Sequence, residues 1–379
     1  MKKLFIITQF LALFNSTAVM GQAPGKAVGN FVIGLVLPLE GSQAVLGEEA
    51  LAGIHLAASD LMKEDPQLAA QISLVVASDK SKPSGAKEAA LSLAKRRVSI
   101  FLGSLTRSHT EELAKVAAKE RKPLIVPFAC ADENPLKGAR VFHSCFSSPW
   151  QGKLLGNFAG ETLRRRKAAL LFDPQAKPDV AIVDLFRKSF EAKGWEIVHR
   201  EYFDSSSILD FMPHIEVILK TEADVILFPS GDRHKAERFL KQLAMKKVKL
   251  PILGPTSWHQ RSLANAFPGG IENYFVVPYS TELETPEARH FAREFAKQKK
   301  RRPSIIAALA YDAYQLAARS FKNAQGVGEK ELTRSLEQIK DLPSLLGSAN
   351  MSAERFLERP GLVMQMGRGR FFFRGLVSP

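Results

Sequence analysis

One short segment, Gly103-Ser104-Leu105-Thr106-Arg107-Ser108, gathers the residue types that receive a carboxylate. It joins an apolar strand run to a helical pattern, so backbone N–H groups are left free at a helix start, where the aligned peptide dipoles favour negative charge. Thr106 is placed to cap that helix through its hydroxyl. Ser104 and Ser108 add further hydroxyl donors. Arg107 offers a planar guanidinium that either grips a carboxylate through two parallel bonds or points into solvent.

Other chemistries lack their signatures. The eight histidines, His55, His109, His143, His199, His214, His234, His259 and His290, include no HExxH pair and no other helical pair at metal-ligand spacing, so no metal site is expected. Neither Ser104 nor Ser230 lies in a GxSxG elbow. Gly367-Arg368-Gly369 is not followed by a helical pattern, so it is no dinucleotide loop. Acidic residues show no arrangement that specifies acid–base work. Catalytic residues and cofactors are therefore not expected. Cys130 and Cys145 are the two cysteines, which excludes a four-Cys zinc site and a disulfide-dense scaffold. They form one bridge only if their Cα atoms lie within about 7 Å in an oxidising compartment.

The chain that must position these groups has 379 residues, 45% hydrophobic and 24% charged, the proportions of a globular protein. At roughly 100–200 residues per domain, two lobes are expected. The formal net charge is +14. Its basic runs, Arg164–Lys167, Lys246–Lys249 and Lys299–Arg302, each fall at the end of a predicted helix, where cations complement the dipole. They lack base-stacking aromatics and a recognisable motif, so nucleic acid is not an expected partner. Solvated helix ends are the plain reading of these runs, and adhesion to anionic envelope surfaces the sharper one.

Met1-Lys2-Lys3, the apolar run Leu4–Phe14 and the small and polar residues to Ala23 predict a secretory signal peptide over residues 1–23. A membrane-spanning helix needs about 20 apolar residues, more than this run supplies. No cysteine stands near the cut to accept a lipid. The expectation is a periplasmic or otherwise exported chain, without a stable membrane anchor after cleavage.

Behind the leader, apolar runs alternate with helical periodicity. Phe31–Leu37, Ile72–Ala77, Val98–Leu102, Leu124–Phe128 and Val141–Cys145 read as strands, with helices over Ala44–Met62, Ser84–Arg96 and Arg107–Glu120. A second round has strands at Ala168–Phe172, Trp195–Tyr202, Val225–Phe228 and Ile252–Leu253, between helices at Gln151–Arg165, Asp179–Lys193, Ile208–Lys220 and Lys235–Met245. Two such series predict an α/β protein of two doubly wound, mostly parallel sheets. Thr285-Pro286-Glu287 is a helix start, Phe291 and Phe295 read as core, and further helices span Ile305–Phe321 and Lys330–Ile339. Leu362–Met366 and Arg370–Phe373 form a closing hairpin.

Ile33-Gly34-Leu35-Val36-Leu37-Pro38-Leu39-Glu40-Gly41 with Gly47 resembles the opening of the Leu/Ile/Val-binding family, the type I periplasmic solute-binding proteins of ABC transporters. Ile100–Ser104, Pro123–Ala129, Val141-Phe142, Trp150-Gln151-Gly152, Ile252-Leu253-Gly254 and Ala308–Ala313 also look like that family, and the resemblance runs from Phe31 to Phe373. It implies two lobes joined by a three-crossing hinge: residues 24–147 plus 279–340, and 148–278 plus 341–379. A ligand would sit between them, beyond the carboxyl ends of the strands.

The resemblance also implies site residues. The 103–108 loop would meet a carboxylate through Thr106 and Ser108, and Ala129, followed by Cys130, matches a position whose backbone meets the ligand. In the second lobe the family's aromatics are replaced by Asp173-Pro174-Gln175-Ala176-Lys177 and Pro229-Ser230-Gly231-Asp232-Arg233. The acid that would pair with a ligand ammonium is replaced by Pro255-Thr256-Ser257-Trp258. Asp232 or Glu40 substitutes for it only by facing inward. Arg107, Lys177 and Arg233 favour an anionic ligand without an amino group, and Trp150 and Trp258 are read either as cleft walls or as rim packing. The expected function is capture of a small polar or anionic solute, of the amino-acid or organic-acid class, for delivery to an ABC transporter permease. The alternative is a regulatory binding protein, since Pro38-Leu39-Glu40-Gly41 also resembles penicillin-binding-protein activators.

Overall fold

Phe31–Leu37 is buried at every position, as a strand must be when helices cover both faces of its sheet. The computed structural model describes residues 31–129, 140–204, 210–283, 285–324 and 326–378. The first lobe opens with β1 (Phe31–Leu37), α1 (Ala44–Glu64), α2 (Pro66–Ala70), β2 (Ile72–Ser78) and α3 (Pro83–Lys95). It continues with β3 (Ile100–Gly103), α4 (Arg107–Lys119), β4 (Leu124–Val126) and β5 (Val141–His143). These strands form a parallel sheet in the order β2-β1-β3-β4-β5.

The chain then enters the second lobe through α5 (Ser148–Asn157), β6 (Lys167–Phe172), α6 (Lys177–Glu191), β7 (Glu196–Tyr202) and α7 (Met212–Ile218). Next come β8 (Val225–Leu227), α8 (Arg233–Met245), β9 (Ile252–Gly254), α9 (Arg261–Ala266) and β10 (Asn273–Val277). It returns to cover the first lobe with α10 (Pro286–Lys299), α11 (Ile305–Asn323) and α12 (Glu329–Glu337). A ribbon of β11 (Leu342–Ser344), β12 (Gly347–Met351) and β13 (Leu357–Glu358) leads to the closing hairpin, β14 (Gly361–Gly367) and β15 (Arg370–Val377). The second sheet runs β15-β14-β10-β9-β8-β6-β7, parallel from β10 to β7 and antiparallel at the hairpin. Thr285 caps α10, accepting from the Ala288 N–H at 3.2 Å, and Phe291 and Phe295 are buried.

The expected elements need correction in three places. The helix read over Gln151–Arg165 ends at Asn157 and widens into a π turn over Phe158–Thr162. Trp195 lies so close to Gly160 that a Cβ there would stand 1.8 Å from the indole. The helix read over Ile208–Lys220 is Met212–Ile218, and residues 205–209 lie outside the described residues. Strands β10 to β13 were not expected: α9, before β10, is only six residues long, and after α12 no helix separates the strands. The signal peptide lies outside the described residues. Cys145 is disulfide-bonded, and Cys130, the other cysteine of the sequence, also lies outside them.

Passage between the lobes occurs after β5, after β10 and at Arg359-Pro360. A buried ion pair ties the first and third of these passages to α11. Arg359 donates from Nη1 to Asp312 Oδ2 at 2.7 Å and from Nη2 to the Ser144 carbonyl at 2.8 Å. The Leu345 N–H donates to Asp312 Oδ1 at 3.2 Å, and the Trp150 indole donates to the Arg359 carbonyl at 2.9 Å. The ribbon, which the division at 340/341 assigns to the second lobe, thus bonds to α11, and Met351 N–H also bonds to the Ile339 carbonyl. Burial pushes the Asp312 carboxyl up to about 6 and the Arg359 guanidinium down, while their contact opposes both shifts. Beside this pair His143 stacks on Phe356 at 4.5 Å, with neither ring nitrogen partnered, and burial lowers its pKa to about 4.

Truncating one partner of such a pair strands the other charge in a dry interior. Arg359→Ala is expected to lose roughly 3–5 kcal/mol of stability, read from denaturant midpoints at neutral pH. His143 supplies a pH test. Its folded pKa is depressed, so below 6.5 the unfolded chain takes up a proton that the folded chain does not, and stability is lost as pH falls from 6.5 toward 4. His143→Phe keeps the stack without the proton. Its stability relative to the parent should rise by about 3 kcal/mol between pH 7 and pH 4 in urea melts.

Candidate functional site

The carboxyl ends of the strands in each sheet, and the helix starts that follow them, form the edge where loop chemistry collects. On the first lobe β3 ends at Gly103, whose φ is 151° and where a Cβ would stand 2.3 Å from the Val36 carbonyl oxygen, so glycine is required. Ser104 follows, fully buried, and its hydroxyl donates to Asp79 Oδ2 at 3.2 Å. Asp79, itself fully buried, directly follows β2. The same oxygen lies 3.1 Å from His109 Nδ1, and Asp79 Oδ1 accepts from the Ser81 N–H at 2.9 Å. A carboxylate with this many donors is satisfied without water.

That buried network sits under the 103–108 loop and holds it from both ends. Thr106 caps α4, accepting from the His109 N–H at 3.5 Å, and its Oγ1 lies 3.4 Å from Ser108 Oγ. Arg107 is exposed and donates to Glu111 one turn along its own helix at 3.1 Å. Ala129 is half-buried at the end of the described β4 loop. Glu40 is exposed.

On the second lobe, Ser257 and Gly231 bring the loops after β9 and β8 together. Ser257 Oγ is buried without a partner, 3.0 Å from where a Cβ on Gly231 would stand. Asp232 caps α8, accepting from the His234 and Lys235 N–H groups at 2.8 and 3.0 Å, and the first cause holding its carboxyl low is that bond to Lys235. Arg233 donates to Glu237 at 3.3 Å. Lys177 is exposed at the first position of α6. Thr256 donates its hydroxyl to the Val276 carbonyl at 2.6 Å, and its N–H donates to Gln151 Oε1 at 2.9 Å. Both tryptophans are packing residues. Trp150 is buried at the hinge, and Trp258 is buried beneath Gly254 with its indole donating to the Ser230 carbonyl at 3.2 Å.

Asp79, His109 and Asp179 carry the site's buried polar chemistry, yet they do not stand out in the sequence. Asp179 is buried in the first turn of α6, and burial, then the charge of Asp173, raises its carboxyl to about 7, with Lys235 opposing. Asp173 is also buried and accepts from the Gln175 N–H at 2.8 Å. The one legible signal was position, since Asp79 and Asp173 each follow a strand directly. Between the lobes a cavity of about 550 Å³ is lined by His259 and Phe371 on one side and Ser304 and Ile306 on the other, with Tyr279 from the passage after β10. None of the residues expected from the sequence to bind ligand lines it. Among the described residues no group of three or more His, Cys, Asp or Glu side chains is placed to hold a metal ion.

A family model described as periplasmic binding protein matches residues 31–370. The Leu/Ile/Val-binding protein BraC3 of Rhizobium johnstonii is 20% identical over 325 residues, 85% of this chain and 87% of that protein. The structure of the branched-chain amino acid transporter substrate binding protein LivJ from Streptococcus pneumoniae, in complex with isoleucine, superposes with a TM-score of 0.65 at 25% identity, covering 92% of this chain and 100% of LivJ. A solute binding protein of an ABC transporter from R. palustris, in complex with benzoate, superposes with a TM-score of 0.61 at 25% identity, covering 93% and 97%.

His109→Ala removes one donor from the buried Asp79 carboxylate and should cost about 1–3 kcal/mol. His109→Asn, which keeps a donor near the same place, should recover most of that in parallel urea melts.

Proposed function

Since the chain belongs to the periplasmic binding protein family, a family of binding proteins and not of enzymes, we propose that it captures a small carboxylate between its lobes for an ABC transporter. The observation that carries this reading is the 103–108 loop. It sets two hydroxyls, Thr106 and Ser108, 3.4 Å apart at the start of a thirteen-residue helix, over a buried Asp79 network that fixes the loop's position. A carboxylate there meets backbone N–H groups, hydroxyls and the positive end of the helix dipole together.

The second lobe favours an organic acid over an amino acid. Asp232, one of the two acids in line to meet an ammonium, spends its carboxylate on two backbone N–H groups of α8. The other, Glu40, is exposed. Asp173 and Asp179 are buried, and burial followed by the Asp173 charge raises the Asp179 carboxyl to about 7, with Lys235 opposing. An ammonium placed in the cleft without an acid would be an uncompensated charge, which is costly. Arg107 and Arg233 each hold a glutamate on their own helix, so hydroxyls and backbone, more than guanidinium groups, would receive the acid. Benzoate in the R. palustris relative and isoleucine in LivJ mark the two ligand classes to be separated.

Ligand bridging the lobes would stabilise the closed arrangement by its differential affinity, and a permease would recognise that arrangement. Export follows from the expected leader, and among the described residues no helix is long and apolar enough to cross a membrane.

The test is a thermal-shift and calorimetric panel of benzoate, 3,4-dihydroxybenzoate, short aliphatic dicarboxylates, leucine and isoleucine. A carboxylate without an amino group should stabilise the fold by about 2.7 kcal/mol at a hundredfold excess over its Kd, and Thr106→Val should weaken it about tenfold. Micromolar leucine or isoleucine binding with no response to the acids would overturn the ligand class.

A further inference from the structure

Cations collect at the helix ends of both lobes, and on the second lobe some of them are paired. On the second lobe Lys167 pairs with Glu222, Lys193 with Glu161, and Lys246 with Glu216 at 2.6 Å, while Arg166 lies over the Trp195 ring. On the first lobe Lys95, Arg96 and Arg97 close α3, and Lys119, Arg121 and Lys122 close α4. Five of these six are exposed and Lys122 is half-buried. Among the described residues none of the six enters an ion pair or a side-chain hydrogen bond. Glu120, also exposed, is the one acid within the two runs.

The backbone sets the two runs side by side. β3 pairs with β4 in the register Phe101↔Leu124, and the Phe101 N–H donates to the Pro123 carbonyl at 2.9 Å. The runs therefore enter adjacent strands about 5 Å apart, well inside the distance over which salt screens charge. Arg97 and Arg121 hold φ of 55° and 50°, the left-handed region that glycine fills without strain, so each run places an exposed cation where glycine would be the easier residue.

We propose that this edge of the first lobe docks on the anionic phospholipid surface of a bilayer. The unpaired cations, set along the amino ends of β3 and β4, meet a plane of phosphates without rearrangement. Their alkyl stems reach outward from a rigid sheet edge. Nucleic acid fits less well, because single strands are held by exposed aromatics that stack on bases. The one aromatic among the exposed large apolar side chains of the described residues, Tyr202, belongs to the other lobe. The edge lies opposite the carboxyl ends that carry the candidate site, so docking leaves the space between the lobes open.

The experiment is co-sedimentation of the full chain with phosphatidylcholine vesicles, with and without roughly one-third phosphatidylglycerol. The difference between the two vesicle types cancels any apolar contribution of the N-terminal segment. Partitioning should favour the anionic vesicles on the order of a hundredfold at low salt and fall toward the neutral value as salt rises. Arg97→Gly with Arg121→Gly removes two charges at positions where glycine is conformationally at home, so the fold is kept. This pair should lower the preference about twenty-five-fold, at about fivefold per cation. Lys247→Gln with Lys249→Gln, on the second lobe, should change it less than about twofold. Equal binding to both vesicle types, equal losses from both double variants, or tighter binding to a single-stranded oligonucleotide than to the anionic vesicles would each overturn the proposal.

Discussion

A parallel sheet covered on both faces cannot be closed by tight turns, so each of its strands must be followed by a crossover, here nearly always a helix. That single constraint orders the chemistry of this molecule. Every helix between paired parallel strands starts at the carboxyl edge of its sheet and ends at the amino edge. The carboxyl edges collect unsatisfied N–H groups and short polar caps such as Thr106 and Asp232. The amino edges collect carbonyl ends and the lysines and arginines that answer them. Anion-receptive loops and cationic rims are thus two results of one topology. The sorting is incomplete, since Arg107, Lys177 and Arg233 open α4, α6 and α8 at the carboxyl edges.

The second organising feature is the ion pair at the hinge. Three passages between the lobes would be free to shear if only apolar contact held them. Arg359 instead gives one bond to Asp312 on α11 and another to the Ser144 carbonyl in the first passage. Its own carbonyl receives the Trp150 indole from α5. Directional bonds of this kind fix which residues meet at the pivot, and burial makes each of them expensive to lose. His143, stacked and unpartnered beside it, stays neutral for the same reason that the pair is costly to break, which is the absence of water.

Most of the architecture was legible because it depends on periodicity. Runs such as Phe31–Leu37 and Ala168–Phe172 are apolar at nearly every position, and only strands buried on both faces read that way. β10 was lost because the helix before it, α9, has only six residues and shows no helical periodicity, and the ribbon of β11–β13 because Leu342-Pro343-Ser344 carries neither apolar continuity nor β-branched residues. The candidate site was legible only in part. The 103–108 loop declares itself by glycine, hydroxyls and a helix start. Its foundation does not, since Asp79 and His109 are thirty residues apart and meet because β2 and β3 flank β1. Trp150, read either as cleft wall or as rim packing, stands buried at the hinge, where its indole satisfies the Arg359 carbonyl while filling apolar space.

The same reasoning bears on which solute the cleft could hold. A binding protein needs its polar groups unspent until ligand arrives, because a group already bonded inside the protein has nothing further to gain. By that criterion Asp232, Arg107 and Arg233 are spent on their own helices. Thr106 and Ser108 give up little, with bonds of 3.5 and 3.4 Å, and Ser257 Oγ has no partner. What remains available is a set of neutral hydroxyls beside a helix start, with Asp232 capped into its own helix. Such a surface discriminates by cost more than by attraction. On the proposed reading it would accept a carboxylate and penalise an ammonium that left water without a counter-charge.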